Sequence, residues 1–240
     1  STSYDYDEYD QLKETSFVDS NKSTHKTTFK YPYNCTIYYS NLMKNAGVIK
    51  PVIETSSFLN GAPISTIKTD YKVLGTSAPY LPLVYTNDAV FTKKGIESNF
   101  KEEVNFEKYG AIDTKNEFKL LQYNVKDALT TIVIWGYEKQ YPIAKIENAS
   151  FYEVATALGI TETELENYDE SNLTQISSLR STLTNAMITT YTYDPLIGVT
   201  SITDPKGYII YYEYDDFNRL KYVKDADGNI LSENEYNYKQ

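Results

Sequence analysis

His25 is the only histidine of the 240-residue chain, and its setting, "NKSTHKTTF", holds no Ser or Cys motif. A single imidazole rules out a two-His metal site and most His-dependent proton relays. Cys35, in "YNCTIYY", is the only cysteine; without a basic partner its thiol is read as a small buried or half-buried group rather than a nucleophile. Carboxylate pairs stand in "YDEYD" and "YDDF". Acids alone can cleave glycosides when two of them face each other about 5 to 9 Å apart. The run "DADGN" from Asp225 opens like a calcium loop, yet its Gly falls at the fourth position and Tyr236 stands at the twelfth, where a bidentate Glu is needed. It reads as a turn, and neither a metal nor a cofactor is expected. Trp135 follows "TIVI" and precedes Gly136. With Tyr137 and Tyr141 it forms a candidate aromatic platform for a sugar or peptide; the structural alternative has Trp135 closing a core at a strand end.

The elements that hold these groups are foreshadowed by composition. Twenty-five tyrosines stand against one tryptophan, and a chain rich in Tyr, Thr and Ile packs well on a pleated surface. The expectation is a mainly β protein. A net charge of −10 disfavours nucleic acid as a partner, since phosphate tracking needs a Lys/Arg stripe. No run reaches the length of a membrane-spanning helix, so the chain is not read as an integral membrane protein. The start, "STSYDYDEYD", has neither an initiator Met nor a signal-peptide pattern. It reads as a piece of a longer polypeptide.

A repeat runs through both ends. Tyr-x-Tyr pairs occur at Tyr4/Tyr6, Tyr31/Tyr33, Tyr191/Tyr193, Tyr212/Tyr214 and Tyr236/Tyr238. Residues two apart share one face of a strand, so each pair presents two rings together, and each is expected to mark a strand. Asp7, Asp194 and Asp215 follow three of the pairs directly, where a carboxylate can accept backbone N–H groups in a tight turn. Asn218 stands where a left-handed residue is needed, a position assigned to Asp10 in the first unit and Gly198 in the third. Arg219 and Leu220 open the return strand, and Asp227-Gly228 turns the chain again. "TDPKG", with Asp204 and Gly207, does the same one unit earlier. The second turn of the first unit has no Gly, leaving Asp19, Ser20 and Asn21 to serve.

One stretch departs from the strand pattern. Ser150 and Glu153 have capping-box spacing ahead of Val154, Ala157 and Leu158, with Gly159 as a stop. Thr161 and Glu164 repeat the signature, and Leu173, Ile176, Leu179 and Leu183 lie near one helical face. Three short helices are expected between Ser150 and Leu183, packed against the sheet.

The succession Y-x-Y-D, a turn with Gly or Asn, R-L, then D-x-x-G before the next Y-x-Y resembles the bacterial Rhs/YD-repeat family. "YYEYDDFNRLKYVKDADGNIL" follows that pattern almost throughout, whereas the unit at Tyr31 keeps only its tyrosines. The resemblance implies antiparallel β-hairpins wound into a curved sheet, part of an Rhs-type β shell, with the helical stretch as an insertion. It implies a division into N-terminal YD-type repeats (1–40), degenerate β repeats (41–147), the helical insertion (148–186) and C-terminal YD repeats (187–240). The function it implies is a non-catalytic structural segment of a large secreted or cell-surface bacterial protein, building or capping a shell and offering a surface for interaction. The remainder of that polypeptide would be its partner, with outer-membrane secretion machinery, such as a type IX channel, as a second. Two other classes stay open: a carbohydrate- or peptide-binding module using Trp135, Tyr137 and Tyr141, and a carboxylate-only enzyme such as a glycosidase.

Overall fold

A computed structural model describes residues 1–74, 84–111 and 118–236. Among the described residues the fold is mainly β, with fifteen antiparallel strands and about 17% helix. Two compact units divide it, Ser1–Glu107 and Lys108–Gln240.

The first unit begins with β1 (Thr2–Tyr6), β2 (Leu12–Val18) and β3 (Thr24–Lys30), followed by β4 (Glu54–Leu59), β5 (Ala62–Leu74), β6 (Val84–Lys94) and β7 (Lys101–Tyr109). Each strand pairs with its successor in the chain, the arrangement that short hairpin connections produce. Glu14–Lys26 (2.6 Å) and Lys30–Glu54 (2.8 Å) form cross-strand ion pairs on one face. Between β3 and β4 the strand expectation for residues 31–45 does not hold. Pro32–Asn34 is a 3-10 turn, and Tyr38–Asn45 forms helix α1, which opens the span expected to hold degenerate β repeats. Pro32 fixes a helical φ at the first position of its turn, so the Tyr31/Tyr33 pair leaves the sheet. Helix α1 has no side-chain cap and is held by packing instead, with Met43 fully buried.

In the second unit, β8 (Leu120–Val125), β9 (Thr131–Gly136) and β10 (Tyr141–Glu147) precede the helices, and β11 (Met187–Asp194), β12 (Gly198–Thr203), β13 (Ile209–Tyr214), β14 (Leu220–Asp225) and β15 (Ile230–Glu233) follow them. Helix α2 (Phe151–Leu158) carries the full Ser150/Glu153 capping box and ends on left-handed Gly159. Helix α3 (Glu162–Glu166) starts on the Thr161/Glu164 box. A 3-10 turn at Glu170–Asn172 leads into α4 (Leu173–Thr182). The helices close a core over the strands: Phe151, Val154, Leu165, Ile176 and Leu179 pack with Ile132, Ile134, Ile143, Ile146 and Ile188. Burial of each such side chain contributes about 1.5–3 kcal/mol, which makes this the best-anchored part of the unit.

Among the described residues, five hairpin turns share one geometry, led by Asp7, Asp19, Asp204, Asp215 and Asp225. In each, the Asp N–H donates to the carbonyl four residues on, and its own carbonyl accepts from the N–H three residues on. Its Oδ1 also accepts from the N–H groups two and four residues on, at 2.8–3.0 Å. One carboxylate oxygen therefore satisfies two turn donors. The residue three after each Asp is left-handed: Asp10 (φ 56°), Lys22 (62°), Gly207 (91°), Asn218 (60°) and Gly228 (84°). The second turn of the first unit thus uses Lys22 for this conformation, beyond the Asp19, Ser20 and Asn21 expected to serve.

The Asp194 turn is built differently, and the left-handed position assigned to Gly198 is a correction. Leu196 takes that conformation (φ 72°), while Gly198 sits in β12 with no positive φ. Gly198 is required for space: a Cβ there would lie 2.3 Å from Tyr214 Oη and 2.8 Å from its Cζ.

Candidate functional site

Several of the polar groups singled out for chemistry make structural bonds. Asp7 gives Oδ1 to its turn while Oδ2 accepts a hydrogen bond from the Tyr33 hydroxyl. Its surroundings oppose ionisation by desolvation, but the bonds from Tyr33, Gln11 and Tyr9 together outweigh this and hold the carboxyl below its usual range. Burial and that same Asp7 bond push the Tyr33 phenol up. Arg219 Nε and Nη2 reach Asp215 Oδ2 at 2.8 and 2.6 Å; Arg219 is the main cause of an Asp215 pKa of about 2. In the "DADGN" turn, Asp225 is the capping carboxylate, and Asp227 contributes its N–H. His25 Nε2 lies 2.9 Å from Asp19 Oδ2, and its ring stacks on Phe17 at 4.6 Å. Burial pushes the Cys35 thiol up, away from the thiolate that nucleophilic chemistry uses. The described residues contain no cluster of three or more His, Cys, Asp or Glu able to hold a metal.

What the tyrosines do is join hairpins. Tyr214 donates from its hydroxyl to the Val199 carbonyl at 2.9 Å, and Val199 is the residue opposite Tyr193 in the preceding hairpin. Tyr236 donates to Leu220 at 2.9 Å, the residue opposite Tyr214. Tyr31 donates to Leu12 at 2.9 Å, the residue opposite Tyr6. Tyr193 reaches Pro142 at 3.0 Å, across the helical insertion. Thus in three of these four bonds a tyrosine of one hairpin binds the carbonyl of the residue facing a tyrosine of the hairpin before, and in the fourth the acceptor, Pro142, faces Trp135. Arg219 adds a second tie, its guanidinium lying 4.3 Å from the centre of the Tyr236 ring.

These bonds assign roles to much of the repeat. Tyr193, Tyr214 and Tyr236 are latches; Leu220 supplies a latch acceptor; Asp7, Asp204, Asp215, Asn218, Gly207 and Gly228 shape turns. Tyr191 and Tyr212 are half-buried strand residues, whereas Tyr4 and Tyr6 are 61% and 58% exposed. Asp194 contributes its carbonyl to the Ile197 N–H. Tyr238 lies outside the described residues. Spacing alone did not mark Tyr31 as a latch, since its pair was expected to lie on a strand, and it placed Asp19 and Asp225 in turns without singling out their carboxylates as the caps.

The proposed Trp135–Tyr137–Tyr141 platform is rearranged. Trp135 donates its indole N–H to Leu120 O at 2.8 Å and lies beneath Lys119. Tyr137 and Tyr141 instead meet Tyr193: ring centres are 5.8 Å (137–141), 5.6 Å (137–193) and 4.8 Å (141–193) apart. Tyr137 Oη accepts from the Tyr193 N–H at 2.9 Å. Burial pushes Tyr193 up to about 12.

Under this cluster the β9–β10 connection is strained. Tyr137, Glu138 and Lys139 all have positive φ, 51°, 57° and 61°, a conformation that costs a non-glycine residue about 1–3 kcal/mol. The turn is held on several sides. Lys139 Nζ donates to the carbonyls of Glu166 (2.6 Å), Tyr168 (2.6 Å) and Trp135 (3.3 Å), which places a cation at the carbonyl end of α3. The Tyr137 N–H donates to Glu170. Gly136 allows that approach, since a Cβ on it would lie 2.5 Å from Ile143 Cγ2 and 3.0 Å from Glu170 N.

No family model matches the chain, and no curated protein matches it. Among solved structures it is similar to the crystal structure of TcdB2-TccC3-Cdc42, at 14% identity over 97% of this chain and 11% of that one, with a TM-score of 0.39. It is also similar to a Photorhabdus luminescens Tc holotoxin pore carrying a TccC3 mutation, at 14% identity over 95% of this chain and 12% of that one, TM-score 0.39. A third match is TcdB2-TccC3 without its hypervariable C-terminal region, at 13% identity over 97% and 13%, TM-score 0.39. The chain spans 11–13% of the length of these three chains.

Proposed function

We propose that the chain is a non-catalytic structural section of a large bacterial protein of the Rhs/YD-repeat type, secreted or displayed at the cell surface, in which successive hairpins build or cap a curved β shell. The observation that carries this reading is the recurrence of the tyrosine latch, in which a hydroxyl of one unit binds the carbonyl opposite a tyrosine of the unit before. A latch of this kind is a device for extending a sheet. Each hydrogen bond contributes about 0.5–1.5 kcal/mol, and cross-strand side-chain pairs add about 0.2–1 kcal/mol each. The carboxylates a glycosidase would draw on at "YDEYD" and "YDDF" include Asp7 and Asp215, both occupied by turn and latch bonds.

On this reading the partners are the rest of the parent polypeptide and, during export, outer-membrane secretion machinery. The test is cryo-electron microscopy of the longest natural polypeptide that contains this sequence. Further hairpins carrying the same Asp turns and tyrosine latches, continuous with these strands in a β shell, are the expected result. Strands that fold there as a separate globule, with no latch to flanking repeats, would refute the reading.

A further inference from the structure

The strain in the second unit is concentrated where two neighbouring turns face one cleft. The β9–β10 turn supplies Tyr137 and Glu138 from its left-handed run, with Tyr141 following. The β11–β12 turn supplies Pro195 and Leu196, and Leu196 is itself left-handed and 94% exposed. Its N–H donates to Tyr141 Oη at 3.4 Å, which ties the turns together. Glu170 completes the walls of a cleft of about 390 Å³. Unfavourable backbone conformations persist where the fold over-determines them, and they gather at ligand clamps.

The lining defines what the cleft can take. Two carboxylates, Glu138 and Glu170, the latter already accepting from the Tyr137 N–H, stand with the Gln140 amide beside the rings of Tyr137 and Tyr141, and no Lys or Arg lines it. Lys139, whose backbone lies between these groups, sends its ammonium away into the carbonyls of Trp135, Glu166 and Tyr168. The site is therefore negative and aromatic on its walls and aliphatic at its Pro195–Leu196 rim. An anion is repelled. A long side chain with an apolar stem and a cationic head matches all three features, through cation–π attraction, ion pairing and stem contact.

We propose that this cleft binds the side chain of an arginine or lysine presented by a peptide or protein partner. The stem lies along Leu196 and Pro195, and the charged head sits against the tyrosine faces within reach of Glu138. The proposal stands apart from the shell reading, because the cleft lies entirely within the second unit, between two of its own hairpins and beside Glu170.

The test is NMR titration of the full 240-residue chain with N-acetyl-arginine methylamide, reading the Leu196 methyls and the Tyr137 and Tyr141 ring protons. Saturable shifts at these residues that weaken with added salt are expected. Glu138→Gln, which keeps the backbone and leaves the Glu170 bond to Tyr137 intact, is expected to weaken binding about threefold to tenfold, and Leu196→Ser to weaken it by a smaller factor. The proposal is overturned if the arginine probe gives no saturable shift at these residues, or if Glu138→Gln binds it as the parent chain does. It is also overturned if methyl β-glucopyranoside, a neutral sugar, shifts the same residues with equal or greater affinity.

Discussion

Replacing Gly198 by Ala isolates one contact in the repeat. Gly198 does not have a positive φ, so alanine is allowed by the backbone. By restricting the unfolded chain it would stabilise the protein by about 0.4–1 kcal/mol if the site were open. The site is not open, because the new Cβ would stand 2.3, 2.8 and 3.2 Å from Oη, Cζ and Cε1 of Tyr214. A phenol ring is rigid, so either the strands separate or the ring leaves. Separation of packed groups costs about 1–3 kcal/mol. Departure of the ring forfeits the 2.9 Å bond to Val199, about 0.5–1.5 kcal/mol, together with about 0.2–1 kcal/mol of cross-strand packing. The net expectation is a loss of about 1–2 kcal/mol, read by urea unfolding followed by circular dichroism. The decisive measurement is a double-mutant cycle. With Tyr214→Ala already in place there is no ring to strike, and Gly198→Ala should then be neutral or stabilising by up to about 1 kcal/mol. An equal loss in both backgrounds would show that Gly198 is kept for another reason and would refute the close-approach argument.

Two further perturbations address the turns. The Asp215 pKa lies at about 2 in the folded chain against a reference of 3.8, so its contribution is fully present above about pH 4 and is lost as pH falls through 2. Hydrogen exchange of the β13–β14 hairpin should show this loss between pH 4 and 2, and Asp215→Asn, which retains an oxygen for the turn, should remove that pH dependence. Lys139→Met leaves three carbonyls without their shared cation and should cost about 1–3 kcal/mol. The Tyr193 amide, bonded to Tyr137 Oη, should exchange faster in that variant, and unchanged exchange would count against Lys139 as the clamp of the strained turn.

What could be read in the sequence was whatever rests on contacts only a few residues apart. The capping boxes of α2 and α3 join residues three apart, and the Asp7, Asp204 and Asp215 turns bond residues two to four apart, so their signals lie within a short window. Helix α1 left no such signal: Ile37 and Tyr38 are poor helix starters, no side chain caps it, and burial of Met43 stabilises it from a distance. The role of Gly198 was hidden for the same reason, since the atoms that demand a glycine belong to Tyr214, in the next hairpin. Trp135, Tyr137 and Tyr141 looked like one platform because they are close in the chain. Tyr137 and Tyr141 instead pack with Tyr193, more than fifty residues on, which no local spacing announces.

The latches all point one way. Tyr31, Tyr193, Tyr214 and Tyr236 donate to Leu12, Pro142, Val199 and Leu220, and in every case the acceptor comes earlier in the chain. An array fastened like this has an arrow. A hairpin emerging during synthesis finds its acceptor already made, whereas its predecessor waits for nothing downstream to furnish a donor, which suits folding that proceeds from the N-terminal end. Trimming the last hairpin would leave a carbonyl that water can satisfy. Trimming the first would strip Tyr31 of Leu12, the acceptor it was built to reach.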